Sequence, residues 1–205
     1  MEYLELHPVN PQERYINMAV DVLKSGGIII YPTDTVYAFG CDIYNKQALD
    51  LLYSIKNDSL SKLFSFICPD LKDIAKYAKV SDSAYKLMKR LTPGPYTFVL
   101  PASKDVPKKI WTKRKTVGIR IPEHNIALGL AEKLGNPVIS TSVTTRLGEI
   151  LHNPEEIRII FNRQVDLMLA AGSLISEPST IVDLSGEEPE ILRYGSGNVN
   201  FLENN

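Results

Sequence analysis

Two apolar stretches of the chain end in clusters of hydroxyl side chains. The segment "IIIYPTDT" runs into Thr33 and Thr35. The segment "PVISTS" closes in the same way on Ser140 and Ser142. In open α/β sheets, ligands bind beyond the carboxyl ends of the strands, where small hydroxyls can contact a compact polar molecule. The same side chains also cap helices and close turns, so the pattern leaves both roles open.

Three basic residues lie at positions where an anionic partner would explain their charge. Lys56 closes a helical stretch, where it either faces the helix dipole or reaches a phosphate. Arg120 lies inside the apolar strand "TVGIRIP", and an arginine in such a place usually pairs with an anion. That anion is an internal Asp or a ligand carboxylate, and the sequence alone slightly favours the Asp. Arg193 in "EILRYG" poses the same choice.

A basic segment with Trp111 in its middle extends over residues 104–120. It holds seven Lys or Arg against one Asp, on a chain whose formal net charge is −1. A local positive field of this kind attracts a polyanion such as RNA, although a solvated basic face has the same composition. The candidate RNA-binding residues are Lys108, Lys109, Lys113, Arg114 and Lys115, with Lys86, Lys89 and Arg90 as an extension.

Several common catalytic and cofactor motifs are missing from the sequence. It contains no P-loop, no G-x-G-x-x-G after a strand and no G-x-S-x-G elbow. His7, His124 and His152 are separated from one another and from the two cysteines, so no metal-ligand spacing exists. Any bound phosphate must therefore be held by side-chain cations and strand-end hydroxyls.

The chain has the size and composition of one globular domain. Its 205 residues are 44% hydrophobic and 23% charged, and no change in composition marks a second domain. We therefore expect a single domain over residues 1–205. The N-terminus carries two early acids and no apolar core, unlike a signal peptide, and no apolar run is long enough to span a bilayer. Together with Cys41 and Cys68, which form no C-x-x-C pair, these features predict a reduced, cytoplasmic protein with no membrane partner.

Alternating helical and strand patterns predict an α/β fold with one twisted, open, mixed sheet flanked by helices. The first helix is expected to end at Gly26 and Gly27. Further helices are predicted over 45–57, 70–78, 82–91, 125–135 and 154–161. Strands are predicted over 28–31, 63–68, 96–101, 116–122, 137–142, 165–169, 179–184 and 190–194.

Several motifs together resemble the YrdC/YciO family, the threonylcarbamoyl-adenylate synthases and their relatives. The matching pieces occur in family order over residues 15–195: "GGIIIYPTDTVYAFGCD", the Lys56 region, "LTPGPYTFVLP", "TVGIRIPEH", "NPVISTS", "STIVDL" and "ILRYG". The similarity is greatest to the YciO branch, through "STSV" and "QVDLMLAAG". The resemblance implies a twisted open α/β fold with a concave, positively lined cavity.

The resemblance also implies a nucleotidyltransferase reaction. L-Threonine, bicarbonate and ATP give threonylcarbamoyl-adenylate and pyrophosphate, the first step toward a modified adenosine in tRNA. The carbamate attacks the α-phosphate, so cations are needed around the triphosphate, and Mg²⁺ bound with the nucleotide is expected to share that charge. The alternative is a protein that binds double-stranded RNA or tRNA by A-form shape, without efficient synthase activity. A hydrolase or sensor of adenylates is a third hypothesis.

Carried over residue by residue, the resemblance implies a composite site. The threonine-binding residues would be Thr33, Thr35, Arg120 and Ser140, with Arg120 on the carboxylate. Lys56 and Ser142 would be catalytic. The nucleotide-binding residues would be Lys56, Lys62, Thr116, Ser142, Thr144 and Arg193, and no protein-bound metal is implied.

The chain departs from the synthase pattern at three points. The synthases have Lys-x-Arg, whereas here Asp58 replaces the arginine. They have Ser-x-Asn, whereas here Thr144 replaces the asparagine. Ile67 stands where many synthases carry a histidine. The resemblance implies a pocket inherited from the synthases. Because an acid repels a triphosphate, it does not imply efficient synthesis of the adenylate.

Overall fold

The computed structural model describes residues 1–56, 64–72, 74–107, 110 and 114–200. In this part of the chain the α-helices are α1 (Glu13–Lys24), α2 (Lys46–Ile55), α3 (Asp82–Leu91), α4 (Asn125–Leu134) and α5 (Pro154–Phe161). The strands are β1 (Glu2–Glu5), β2 (Ile29–Tyr31), β3 (Ala38–Asp42), β4 (Ser65–Ile67), β5 (Tyr96–Pro101), β6 (Thr116–Arg120), β7 (Val138–Ser142), β8 (Leu167–Ala170), β9 (Thr180–Asp183) and β10 (Glu190–Arg193). None of these helices is long and apolar enough to cross a bilayer.

The strands form one mixed sheet in the order β1-β8-β2-β3-β7-β4-β6-β5-β9-β10. Strand β8 pairs in parallel with β1 and β2, whereas β7 is antiparallel to both β3 and β4. Beyond β4, strand β6 runs antiparallel to β5, and β5 is parallel to β9. The mixed open sheet flanked by helices that the sequence predicts is confirmed.

Two apolar clusters cover the two faces of the sheet. One contains the buried residues of α2, α3 and α5, including Leu52, Met88 and Phe161. The other contains the buried stripes of α1 and α4 together with Ile29 and Tyr31 of β2. The main sheet contacts of α1 and α4 are with β2, β3, β4, β7 and β8. Strands β6, β5 and β9 therefore extend beyond these two helices on the second face.

Strands β1 and β3 are not among the predicted strands. Strand β1 is a short edge strand, held by its parallel pairing with β8 rather than by an apolar pattern of its own. In β3, Gly40 looks like a break in the sequence but lies within the strand. A Cβ at this position would stand 2.8 Å from the Tyr31 ring, so the close packing of that ring explains the glycine.

The helix predicted over 70–78 is wrong. The described residues of this segment contain only a 3₁₀ turn, Ile74–Lys76. Directly after it, the backbone N–H of Lys79 donates to Pro101 O (2.8 Å), and Ala78 forms a bridge with Ala102. Because these backbone groups pair with residues at the end of β5, the turn cannot continue as an α-helix.

Gly195 lies where two segments of backbone touch. A Cβ at this position would stand 2.1 Å from the carbonyl oxygen of Pro178. Gly195→Ala is therefore expected to lower the free energy of unfolding by about 1–3 kcal/mol, as overpacking does, measured by urea denaturation. Gly186→Ala is the matched control, because its nearest neighbour atom would be 3.9 Å away. Equal losses in the two variants would contradict the prediction.

Candidate active site

A row of small residues crosses four neighbouring strands on the second face of the sheet. In the strand register Gly40 lies opposite Ser140, Ser140 opposite Ser65, and Ser65 opposite Gly118. Residues opposite one another point to the same face, so the row presents only small residues there, and larger neighbours can pack over them. A Cβ at Gly118 would already stand 3.2 Å from Cγ2 of Thr97. The Tyr31 ring packs against Gly40, and Ser65 and Ser140 line the cavity described next.

A cavity of about 410 Å³ is lined by this region of the sheet and by the loops around it. It brings together three cations, Lys56, Arg120 and Arg193, which the sequence separates widely. Its hydroxyl-bearing lining residues are Ser65, Thr97, Ser140, Thr141, Ser142, Thr144 and Ser179. No carboxylate is among the lining residues in the described ranges. This lining is suited to an anion with several hydrogen-bond acceptors.

Arg120 is buried at the end of β6 and is held by Asp34. Its Nη2 donates to Asp34 Oδ1 (2.5 Å) and to Thr35 Oγ1 (2.7 Å). The second oxygen of Asp34 accepts from the backbone N–H of Glu123 (3.1 Å). The sequence left two anionic partners open for Arg120, an internal Asp or a ligand carboxylate. The structure shows the internal Asp. Within the described residues Arg120 Nε has no hydrogen-bond partner, so the guanidinium retains a donor while its residue lines the cavity.

The hydroxyl of Thr33 closes the loop between β2 and β3. It donates to Val36 O (2.7 Å) and accepts from the backbone N–H groups of Thr35 and Val36. The structure therefore shows the turn-forming role for Thr33. Thr33 and Thr35 are both buried, and neither lines the cavity. A direct contact between these hydroxyls and threonine stays a prediction.

Lys56 follows the last residue of α2 and reaches the end of β7. Its Nζ donates to Ser142 O (2.9 Å) and to Thr144 Oγ1 (2.7 Å). The ammonium also stands 5.8 Å from the centre of the Phe39 ring. These contacts place the charge at the cavity wall, in addition to its position at the helix end.

Ser140 is fixed by a hydrogen bond from Tyr31 of β2. The phenol of Tyr31 donates to Ser140 Oγ (2.7 Å), and burial raises the pKa of Tyr31. Tyr31 thus stays a neutral donor at ordinary pH, and the hydroxyl of Ser140 keeps its own proton for another acceptor. Ser142, two residues further along β7, also lines the cavity.

Arg193 approaches the cavity from β10. Its Nε and Nη2 donate to Ser179 O at 3.0 and 2.7 Å, and the Ser179 hydroxyl lies 2.9 Å from Oγ1 of Thr97. Burial lowers the pKa of Arg193, and the charge of Arg120 lowers it further. An anion bound beside Arg193 would favour its charged form.

The other residues proposed from sequence are not all brought to this cavity. Thr116 is buried in β6 and is not among its lining residues. Lys62, Asp58, Lys108, Lys109 and Lys113 lie outside the described residues. Arg114 and Lys115 are exposed, and Arg114 Nη1 stands 3.9 Å from Asp183 Oδ2. RNA binding by this segment stays a prediction.

The structure adds residues that the sequence analysis does not single out. Asp34 orients Arg120, and Ser65, Thr97 and Ser179 line the cavity. His124 precedes α4, and its buried Nδ1 has no hydrogen-bond partner in the described ranges. Burial lowers the pKa of His124, which Asp34 counteracts and Arg120 reinforces. For Asp34, the available sequence signal was an acid between two threonines at a strand end.

No group of three or more His, Cys, Asp or Glu side chains that could hold a metal ion occurs in the part of the chain that the structure describes. Cys41 and Cys68 are both buried and are not joined in a disulfide. A divalent ion at this cavity would therefore depend on a ligand for much of its coordination.

Comparison with known proteins places these residues in a family. The model of the Sua5_yciO_yrdC family, described as "Telomere recombination", matches residues 21–195. The chain belongs to this family. It is 45% identical to an uncharacterized protein of Haemophilus influenzae over 199 residues, 96% of each chain. It is 41% identical to YciO of Escherichia coli over 200 residues, 97% of each chain.

Relatives with a named activity are more distant. A threonylcarbamoyl-AMP synthase of Coxiella burnetii is 34% identical over 157 residues, which is 75% of this chain and 83% of that protein. The family assignment made from the sequence motifs is thus confirmed, including the greater similarity to YciO.

Solved structures of the family share the fold. The crystal structure of E. coli YciO matches with a TM-score of 0.92 and covers 97% of this chain and 98% of that one. P. abyssi Sua5 complexed with L-threonine matches with a TM-score of 0.90 at 25% identity. That match covers 99% of this chain and 60% of the Sua5 chain.

Proposed function

We propose that the cavity joins L-threonine, bicarbonate and ATP into threonylcarbamoyl-adenylate, as the first step toward a modified adenosine in tRNA. The observation that carries the proposal is the meeting of Lys56, Arg120 and Arg193 in one hydroxyl-lined cavity. A substrate carboxylate and a triphosphate are both anions that such a lining can bind. The synthase relatives and the threonine-bound Sua5 support this assignment.

Arg120 binds the carboxylate of threonine in this proposal. Its Nη2 is occupied by Asp34 and Thr35 and its Nε is buried, so Nη1 is the nitrogen left for a ligand. The Ser140 hydroxyl, which accepts from Tyr31 and keeps its own proton, is the neighbouring donor on β7. Asp34 and Tyr31 act as positioning residues, because each orients a group that touches the substrate.

The chemical step needs cations around the departing phosphates. The threonine amine and bicarbonate form a carbamate with loss of water, and a carbamate oxygen then bonds to the α-phosphorus. The bond from that phosphorus to the bridging oxygen breaks, and pyrophosphate leaves with the electron pair. Lys56 stabilises this developing charge, while Ser142, Thr144 and Arg193 hold the nucleotide.

The cavity would hold Mg²⁺ as part of the nucleotide complex. The lining residues of the described ranges offer hydroxyls and backbone oxygens but no carboxylate. Mg²⁺ commonly keeps several waters and binds through substrate phosphates, which fits a site of this composition. Its chemical contribution would be to neutralise charge on the phosphate oxygens.

The test is a pyrophosphate-release assay with the purified chain. We expect release from ATP only when threonine and bicarbonate are both present. Threonine alone is also expected to raise the melting temperature, because a ligand bound by the native state stabilises it. Omitting threonine and bicarbonate in turn provides the controls. Pyrophosphate release that is independent of threonine would overturn the proposal.

A further inference from the structure

A second, smaller cavity adjoins the first at Lys56 and Thr144. Its volume is about 180 Å³. It is lined by Ile55, Lys56, Thr144, Thr145, Arg146, Ile160, Phe161 and Gln164. Lys56 and Thr144 line both cavities, and Lys56 Nζ donates to Thr144 Oγ1 across the junction (2.7 Å). The two spaces are therefore joined at one charged residue.

The polar part of this second lining consists of groups that favour an anion. It contains the ammonium of Lys56, the guanidinium of Arg146, two threonine hydroxyls and the amide of Gln164. No Asp or Glu is among its lining residues in the described ranges, and Arg146 forms no ion pair there. The remaining wall is apolar, which strengthens charge interactions with a bound ion.

The size of the second cavity restricts its ligand. Sites for drug-sized molecules occupy about 300–1,000 Å³, so this space suits a small inorganic anion rather than a nucleotide. Because Lys56 lines both cavities, its ammonium is available to an anion in either one. The two cations, Lys56 and Arg146, match an anion with charge at both ends.

A short hairpin fixes Arg146 relative to both cavities. Thr144 bridges Ile150, and the backbone N–H of Thr145 donates to Glu149 O (2.8 Å). Gly148 has a φ of +90° and closes the turn by donating from its N–H to Thr145 O (3.0 Å). The same hairpin lines the first cavity through Gly148 and Ile150. Arg146 thus lies in the second cavity, on a hairpin with other residues that line the first.

We propose that the second cavity is an exit subsite for the pyrophosphate leaving group, with Arg146 as its principal binding residue. The proposal rests on the proposed function for the identity of the anion. When the bond from the α-phosphorus to the bridging oxygen breaks, pyrophosphate takes the electron pair and remains on Lys56. It then moves past Thr144 onto Arg146, which separates it from the adenylate and opposes the reverse reaction.

The test measures the affinity for inorganic pyrophosphate by isothermal titration calorimetry, without ATP or threonine. Arg146→Ala is expected to weaken the Kd roughly tenfold, since one charge-assisted contact is lost at an exposed site. Arg146→Lys should recover part of the affinity. Arg163→Ala is the matched control: Arg163 is an exposed arginine next to Gln164 that does not line the cavity, and its loss should leave the Kd unchanged.

The outcomes separate this proposal from the proposed reaction. Equal pyrophosphate affinity in the wild type and in Arg146→Ala would overturn the subsite even if the wild type makes the adenylate. Orthophosphate that binds as tightly as pyrophosphate would overturn the leaving-group assignment, since one charge centre would then suffice. Arg146-dependent pyrophosphate binding without threonine-dependent release from ATP would instead refute the proposed reaction and keep an anion site at Arg146.

Discussion

Asp34→Asn is expected to lower the free energy of unfolding by about 3–5 kcal/mol, the cost of leaving one member of a buried ion pair uncompensated. The side chains of Arg120 and Asp34 are only 8% and 9% exposed. Asparagine has nearly the same shape and can still accept from the Glu123 N–H. The substitution therefore isolates the loss of charge, and chemical denaturation measures it.

An exposed ion pair provides the matched control for this prediction. Lys133 Nζ stands 2.6 Å from Glu13 Oε1, and the Glu13 side chain is 75% exposed. Glu13→Gln makes the same kind of change as Asp34→Asn, and pairs of this type contribute about 0.2–1 kcal/mol. Similar losses in the two variants would mean that the Arg120 guanidinium is solvated or has another partner when Asp34 is neutral.

Arg120 illustrates both the reach of the sequence and its limit. A cation inside an apolar strand predicts an anionic partner, and an internal Asp is the favoured choice from sequence. Asp34 is that partner, but it lies 86 positions away. Strands β3, β7 and β4 separate β2 from β6 in the sheet. The strand order places the loop after β2 near the end of β6. No local sequence pattern encodes that order.

The row of small residues across the sheet could not be predicted for a similar reason. Gly40, Ser65 and Gly118 are ordinary small residues in separate strands. Their common role arises from the register that places them side by side through Ser140. Thr33 differs, because its turn is a local arrangement that the residue type already allows. A local turn such as that of Thr33 could thus be predicted from the sequence. The groups of residues that strand pairing brings together could not.

Lys56 is the residue whose loss should reduce the proposed activity most. We expect Lys56→Met to lower kcat/KM for threonine-dependent pyrophosphate release about 10- to 100-fold, corresponding to about 1.5–3 kcal/mol for a charge-assisted contact. Methionine fills similar space but supplies no charge. If Lys56 acts on the departing phosphates, kcat falls more than the affinity for ATP, because that charge develops in the transition state.

The substitution also removes a structural donor, and this effect must be separated from catalysis. Ser142 O and Thr144 Oγ1 both accept from Lys56 Nζ. Leaving them without that donor is expected to cost about 1–3 kcal/mol of stability, so the assay belongs well below the melting temperature of the variant. Lys133→Met, at an exposed pair with Glu13, controls for the loss of a lysine in general. Full turnover in Lys56→Met with a lowered melting temperature would mean that Lys56 only links α2 to the end of β7 and takes no part in the reaction.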